Sequence, residues 1–298
     1  MLGKEAALFM PSGTQSNLAA LMSHCERGDE YLVGQGAHTY RYEAGGGAVL
    51  GSIQPQPITN QSDGSLALAD IEAAIKPDDA HFARTRLLCL ENTFGGRVLG
   101  MAYLRDATSL ARRHGLATHL DGARLFNAAV ALGHDSQRDA RAIAREMAGL
   151  FDSVWVCFSK GLGAPVGSAL VGTKAFIERA HRIRKMLGGG MRQAGVLAAA
   201  ALHALDHHVD RLSEDHANAR RLAAAFDGLT DLSVESPQTN MVFVDALPQR
   251  LQTLVPALAE HGVLATGLYR LRLVTHLDVS AADVDRAGQC IRDALRRH

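Results

Sequence analysis

The chain has no excess of charge of either sign: 31 Lys and Arg balance 31 Asp and Glu over 298 residues. That balance leaves no basic footprint for nucleic acid and no polybasic face for an anionic membrane. Cysteine is scarce. The four present (Cys25, Cys89, Cys157, Cys290) are far apart, with no Cys-x-x-Cys pair, which excludes a dense disulfide framework. Cys89 and Cys157 fall inside apolar runs and read as reduced, buried thiols of a cytoplasmic protein. No apolar run approaches the ~20 residues a membrane span needs, and the N-terminus shows no signal-peptide pattern. Internal repeats and low-complexity segments are also missing.

What is present is enough chain to bury a full core, as one large domain with a smaller appendage. Short apolar runs alternate with amphipathic stretches, the pattern of a mainly parallel α/β sheet covered by helices. The expected strands are Ala6–Met10, Glu30–Val33, Ala48–Ile53, Arg86–Leu90, Ala117–Leu120, Ser153–Phe158 and Ser168–Gly172. Helices are expected over Asn17–Cys25, Ala69–Ile75, Tyr103–His114 and Ile143–Leu150. From Arg192 to Phe226 the chain turns alanine-rich and helical, with Val196, Leu202, Leu205, Val209 and Leu212 at approximate helical spacing. Beyond it, Leu232–Glu235, Met241–Ala246, Leu251–His261, Leu271–Val274 and a closing helix near Ala282–Arg296 suggest a small α+β unit. The expected domains are residues 1–205 and 206–298.

Lys160 carries the chemistry. It follows the apolar stretch Ser153–Phe158 and opens a glycine-rich turn, Lys160-Gly-Leu-Gly163. Burial at a strand end favours the neutral amine that attacks a carbonyl. A solvated surface lysine is the commoner case, so the assignment depends on its company. Pro11-Ser-Gly-Thr14 follows a strand and opens a helix, where free N–H groups and the Ser12 and Thr14 hydroxyls suit a phosphate; a plain N-cap reads equally well. Asp121, in His119-Leu-Asp-Gly122, closes another strand and points to the crevice where open α/β sheets bind ligands; a structural helix cap is the alternative. Pyridoxal 5′-phosphate needs a lysine, a carboxylate for its ring nitrogen and a phosphate cradle, and these three segments supply them together. His38 could stack on such a ring and move protons. Arg272, on an expected strand of the small domain, has the fork geometry for a substrate carboxylate.

Taken together, Pro11–Thr14, His38 with Tyr42-Glu-Ala-Gly-Gly46, Glu91-Asn-Thr93, Asp121–Arg124, Ser159–Gly163, Gly188–Gln193 and Arg272–His276 resemble the low-specificity L-threonine aldolases over essentially the whole chain. The resemblance implies the aspartate aminotransferase fold of pyridoxal-phosphate enzymes. It implies cleavage of L-threonine, L-allo-threonine and related β-hydroxy-α-amino acids to glycine and an aldehyde. Carried over residue by residue, Lys160 forms the Schiff base, Asp121 bonds the ring nitrogen, Gly13 and Thr14 bind phosphate, and His38 stacks on the ring. Arg124 and Arg272 hold the substrate carboxylate, with Tyr42 lining the substrate and Arg124 also near the cofactor. Lys185 and Arg192 reach the neighbouring subunit's pocket in a homodimer or homotetramer with shared sites. No metal is implied.

Two departures stand out. Many relatives carry histidine after Glu-Asn-Thr, where this chain has Phe94. Either His38 and water act on the substrate hydroxyl, or preference shifts to bulkier side chains. The family also has a leading segment with an Arg-Ser-Asp-Thr motif ahead of the stretch that opens this chain, so an N-terminally truncated chain is expected. The rival readings are a β-eliminating or serine hydroxymethyltransferase-like lyase on the same fold, and an inactive homologue that only binds the cofactor.

Overall fold

Seven runs pair edge to edge in the computed structural model, which describes residues 1–229, 232–266 and 270–297. The strands are β1 (Ala6–Met10), β2 (Asp29–Gly34), β3 (Gln54–Ile58), β4 (Arg84–Glu91), β5 (Ala117–Gly122), β6 (Ser153–Cys157) and β7 (Ser168–Gly172). Their order across the sheet is β1-β7-β6-β5-β4-β2-β3. From β6 to β3 every neighbour is parallel, and β7 alone runs against both of its neighbours. Every residue of β2 and β6 is buried, so neither strand alternates between a core face and a solvent face. The α/β, mainly parallel expectation is borne out.

Nine helices accompany this sheet: α1 (Gly13–His24), α2 (His38–Arg41), α3 (Gly46–Val49), α4 (Leu68–Ala74), α5 (Met101–Arg113), α6 (Leu125–Ser136), α7 (Ala140–Gly149), α8 (Lys174–Met186) and α9 (Gly195–His207). Ser12 Oγ accepts from Gln15 N and starts α1. Its inner face joins Leu8, Met10, Trp155, Leu170 and Ile177 of β1, β6, β7 and α8 in one cluster through Ala19 and Ala20. Small residues there let α1 lie close to the strands. On the other side of α1, Leu21 and Cys25 meet Tyr31, Val33, Leu87 and Cys89. Each large side chain so buried contributes roughly 1.5–3 kcal/mol, so α1 is fixed to the sheet along its length.

One expected strand is wrong. Residues 48–53 do not extend: Gly46–Val49 forms α3, and the edge strand is Gln54–Ile58 instead. That strand, Gln-Pro-Gln-Pro-Ile, carries two prolines, which remove ladder donors and are tolerated only at a sheet edge. The helical stretch after Arg192 is also interrupted, between α9 and α10 (Leu212–Ala223). Val209 and Leu212 are buried, whereas Val196 and Leu202 are 71% and 60% exposed.

Contacts divide the chain into two compact units, Met1–Val209 and Asp210–His298. The second unit is an antiparallel sheet, with strands β8 (Leu232–Val234), β9 (Met241–Ala246) and β10 (Leu271–Val274) in the order β10-β9-β8. With α10, α11 (Pro248–Glu260) and α12 (Ala281–Arg297), it encloses its own core of Leu222, Val242, Val244, Leu258 and Ile291.

Candidate active site

Parallel strands deliver their carboxyl ends to one edge of a sheet, and ligands bind there. Four consecutive neighbours, β2, β4, β5 and β6, use that edge. His38 follows β2 across a short turn, Glu91 ends β4, Asp121 lies one residue from the end of β5, and Lys160 follows β6 by three residues. The register places Glu91 opposite Asp121, and Asp121 opposite Trp155. The Trp155 ring connects the rest: the Lys160 Nζ stands 5.7 Å from its centroid, and Gly13 packs on its far rim. A Cβ on Gly13 would sit 2.2 Å from Trp155 Cη2, so only glycine lets the start of α1 approach this ring.

Polar groups converge beside it. One polar atom each of His38, Glu43 and Asp121 lies within 4.8 Å of the others. Asp121 is 1% exposed; its Oδ2 accepts from Asn17 Nδ2 at 2.8 Å and its Oδ1 from the Ala123 amide at 3.0 Å. Asn17 Nδ2 also donates to Glu43 Oε1 at 2.8 Å, and His38 Nδ1 shares that oxygen at 2.9 Å. The His38 backbone amide donates to Glu91 Oε2 at 2.8 Å. The bond to Glu43 raises the His38 imidazole above its ordinary value of 6.5, and burial works against it. Burial likewise raises Glu43, opposed by its bonds from His38 and Asn17. Glu91 is pushed up to about 8, first by burial and then by the charge of Asp121.

Glu91 yields a pH-dependent stability. Below its ordinary value of 4.5 both folded and unfolded chains hold the proton, and nothing is lost. As pH rises towards 8 the unfolded chain ionises while the folded one keeps its proton, so stability falls through that window. Glu91→Gln should therefore melt above the wild-type apoprotein at pH 8, with the margin shrinking towards pH 5. Glu91 keeps some solvent contact, so the difference between the two margins is on the order of 2 kcal/mol. Equal margins at both pH values in calorimetry would contradict this account of Glu91.

The structure brings Gly13, His38, Asp121 and Lys160 together, with Thr14 exposed at the start of α1 and Arg124 half-buried three residues beyond Asp121. Tyr42 is 50% exposed beside His38, ring centroids 5.7 Å apart. Lys185 and Arg192 are exposed, on the last turn of α8 and in the segment after it. Arg272 belongs to the second unit, on β10, exposed and donating to Thr266 Oγ1 at 3.2 Å. Phe94 packs against Gly36 and Gly64, where an added Cβ would lie 2.8 and 2.7 Å from its ring. Sequence reasoning gave no role to Asn17, Glu43 or Glu91. Glu91 had a usable signal, its place at the carboxyl end of a buried strand.

The family model described as beta-eliminating lyase covers residues 1–247. The low specificity L-threonine aldolase of Escherichia coli O157:H7 is 53% identical over 295 residues, 99% of this chain and 86% of that protein. The chain belongs to the low-specificity L-threonine aldolase family. A relative named low-specificity L-threonine aldolase 1 in Arabidopsis thaliana is 43% identical over 308 residues, covering 99% of this chain and 84% of that one. Threonine aldolase from Leishmania major shares the fold, with a TM-score of 0.81 at 21% identity over 97% of this chain and 84% of that one.

The family's cofactor is pyridoxal 5′-phosphate, and the residues present suit it. A half-buried lysine amine meets an aldehyde, and a buried carboxylate meets a ring N–H. The first amides of α1, which no helical carbonyl accepts, are donors suited to a phosphate, and the glycine at Gly13 lets this helix start lie against Trp155. The buried Nε1 of Trp155 and Oγ1 of Thr93 have no protein partner, so polar atoms remain there for a bound group.

Proposed function

We propose that this chain is an aldolase that cleaves L-threonine, L-allo-threonine and related β-hydroxy-α-amino acids to glycine and an aldehyde. The supporting observation is the delivery of His38, Asp121 and Lys160 by neighbouring parallel strands to one sheet edge, beside the start of α1. Lys160 would hold the cofactor's aldehyde carbon, Asp121 its ring nitrogen, Gly13 and Thr14 its phosphate, and His38 one face of its ring. When bound, the cofactor supplies an electron sink for the pair left on the substrate's α-carbon.

The chain's own residues do the rest. Arg124 binds the substrate carboxylate, bidentate guanidinium to carboxylate, and so sets which α-carbon bond stands ready to break. Tyr42, exposed beside His38, lines the pocket for the side chain that leaves. His38 Nδ1 is committed to Glu43, so Nε2 is the atom that takes the β-hydroxyl proton. Asp121, held by two donors, turns its carboxylate to the ring N–H. Glu91, neutral at pH 7 on the value given above, adds no second charge to compete with it.

A test of the His38 role follows from the sign of its shift. Activity falls on the acid side as Nε2 becomes protonated, so a raised imidazole places that limb above 6.5. Glu43→Gln removes the main cause of the shift. The limb of kcat/KM should move to lower pH, and the plateau should drop by roughly 1 kcal/mol, a few-fold. A limb that does not move would assign the proton to another group.

The segment after α8 supports a partner subunit. Met186, Met191 and Val196 are 69%, 65% and 71% exposed around Lys185 and Arg192, an apolar patch that a second copy would cover. We therefore infer a homodimer or homotetramer in which Lys185 and Arg192 enter the neighbouring pocket. The free cysteines, three of them buried, support a reducing, cytoplasmic setting; among the described residues no helix is long and apolar enough to cross a membrane. The reaction itself is tested by products. L-allo-threonine should give glycine and acetaldehyde in equal amounts; a 2-oxo acid with ammonia would make the chain a β-eliminating lyase, and no turnover would make it an inactive homologue.

A further inference from the structure

Behind Asp121 a line of buried polar side chains leads away from the site. Asn17, His119 and Ser153 are each 0% exposed. Asn17 Oδ1 faces His119 Nε2 at 3.2 Å, His119 Nδ1 faces Ser153 Oγ at 2.7 Å, and His24 Nε2 faces the same hydroxyl at 2.7 Å. The line joins α1, β5 and β6 through their side chains, and beyond Asn17 none of its residues, His119, Ser153 or His24, has a place in the chemistry described above.

Its polarity can be worked out from one end. Asn17 Nδ2 faces two carboxylates, which only accept, so the amide donates both hydrogens. The carbonyl Oδ1 then needs a donor, and His119 must carry its hydrogen on Nε2. Burial lowers His119 to about 3 and His24 to about 4, so both rings are neutral. The bare Nδ1 of His119 takes the only hydroxyl hydrogen of Ser153, and Ser153 Oγ in turn accepts from His24 Nε2–H. Every hydrogen points towards Asn17. Flipping its amide would set a carbonyl against two carboxylates and an NH2 against an N–H.

We propose that Asn17 is a positioning residue for Asp121, with its amide locked by a one-way donor line from His24 through Ser153 and His119. The lock holds the Asp121 and Glu43 carboxylates apart with one hydrogen each. It therefore sets how Asp121 presents its remaining lone pairs, and how Glu43 holds His38. The effect on the cofactor rests on the reading of Asp121 given under the proposed function; the direction of the line does not.

Two measurements test it. On cofactor-free protein with 15N-labelled histidine, long-range proton–nitrogen spectra should show His24 and His119 as Nε2–H tautomers, unchanged from pH 6 to pH 8. His119 with its proton on Nδ1, or titrating in that range, would overturn the proposal. Ser153→Ala removes the hydroxyl that donates to His119 Nδ1 and leaves that nitrogen without a donor, while His119 keeps its hydrogen on Nε2, towards Asn17. In this variant, cofactor affinity and kcat should each fall roughly tenfold, the scale of one lost buried hydrogen bond, with KM little changed. A Ser153→Ala protein with the wild-type cofactor affinity and kcat would also overturn it. If instead Asp121→Asn leaves the cofactor's absorbance unaltered, the reading of Asp121 fails while the tautomer result stands by itself.

Discussion

Lys160→Ala should lower turnover of L-allo-threonine by at least ~10³-fold, about 4 kcal/mol of barrier, while the protein stays folded. The lysine is half-buried and its amine stands 5.7 Å from the Trp155 centroid, so alanine removes a long side chain at the edge of a pocket, not a core contact. The melting temperature should therefore change little. The wild-type holoenzyme should absorb at about 420 nm through the link between cofactor and lysine, and the variant should lose that band even when it binds the cofactor. A variant that kept both the band and normal turnover would remove Lys160 from the mechanism.

Asp121→Asn should be nearly as damaging, for a different reason. The carboxylate accepts from two donors on two different oxygens, Asn17 Nδ2 and the Ala123 amide. An amide offers one oxygen, so one donor would face an NH2 group in a buried site, at a cost of about 1–3 kcal/mol in stability. The charge that holds the ring nitrogen protonated is lost as well, which should lower kcat roughly 10²- to 10³-fold, about 3–4 kcal/mol. Cofactor attachment to Lys160 should survive, since that amine is untouched. Calorimetry and single-turnover kinetics separate the two losses. Undiminished kcat with a lowered melting temperature would reduce Asp121 to a structural cap, the alternative that the sequence alone left open.

The parts of the fold that could be read from the chain are those whose signal is local. β1 and β7 run over Ala6–Met10 and Ser168–Gly172, the expected limits, because an unbroken apolar stretch between turn residues is hard to mistake. The same local signal marked Lys160 and Asp121 at strand ends. The edge strand Gln54–Ile58 was not legible, because its two prolines argue against a strand until its edge position is known. The apolar Ala48–Ile53 reads as that strand in the sequence, but its first two residues belong to α3, Gly46–Val49. The buried acids and amide were harder still. Asn17 bonds Glu43 and Asp121 across 26 and 104 residues of chain, and His119 bonds Ser153 across 34. No periodicity carries such contacts; they exist only once α1 is laid on β5 and β6.

The claim on which the rest depends is that one lysine, Lys160, carries the cofactor. The most direct measurement is borohydride reduction of the holoenzyme followed by proteolysis and peptide mass mapping. Reduction converts the link to a stable secondary amine, so the cofactor stays on the residue that held it. The account predicts modification of the peptide containing Ser159-Lys-Gly-Leu-Gly163, on Lys160, at one cofactor per chain. Modification at Lys185 or at scattered surface lysines, with Lys160 unmodified, would contradict it.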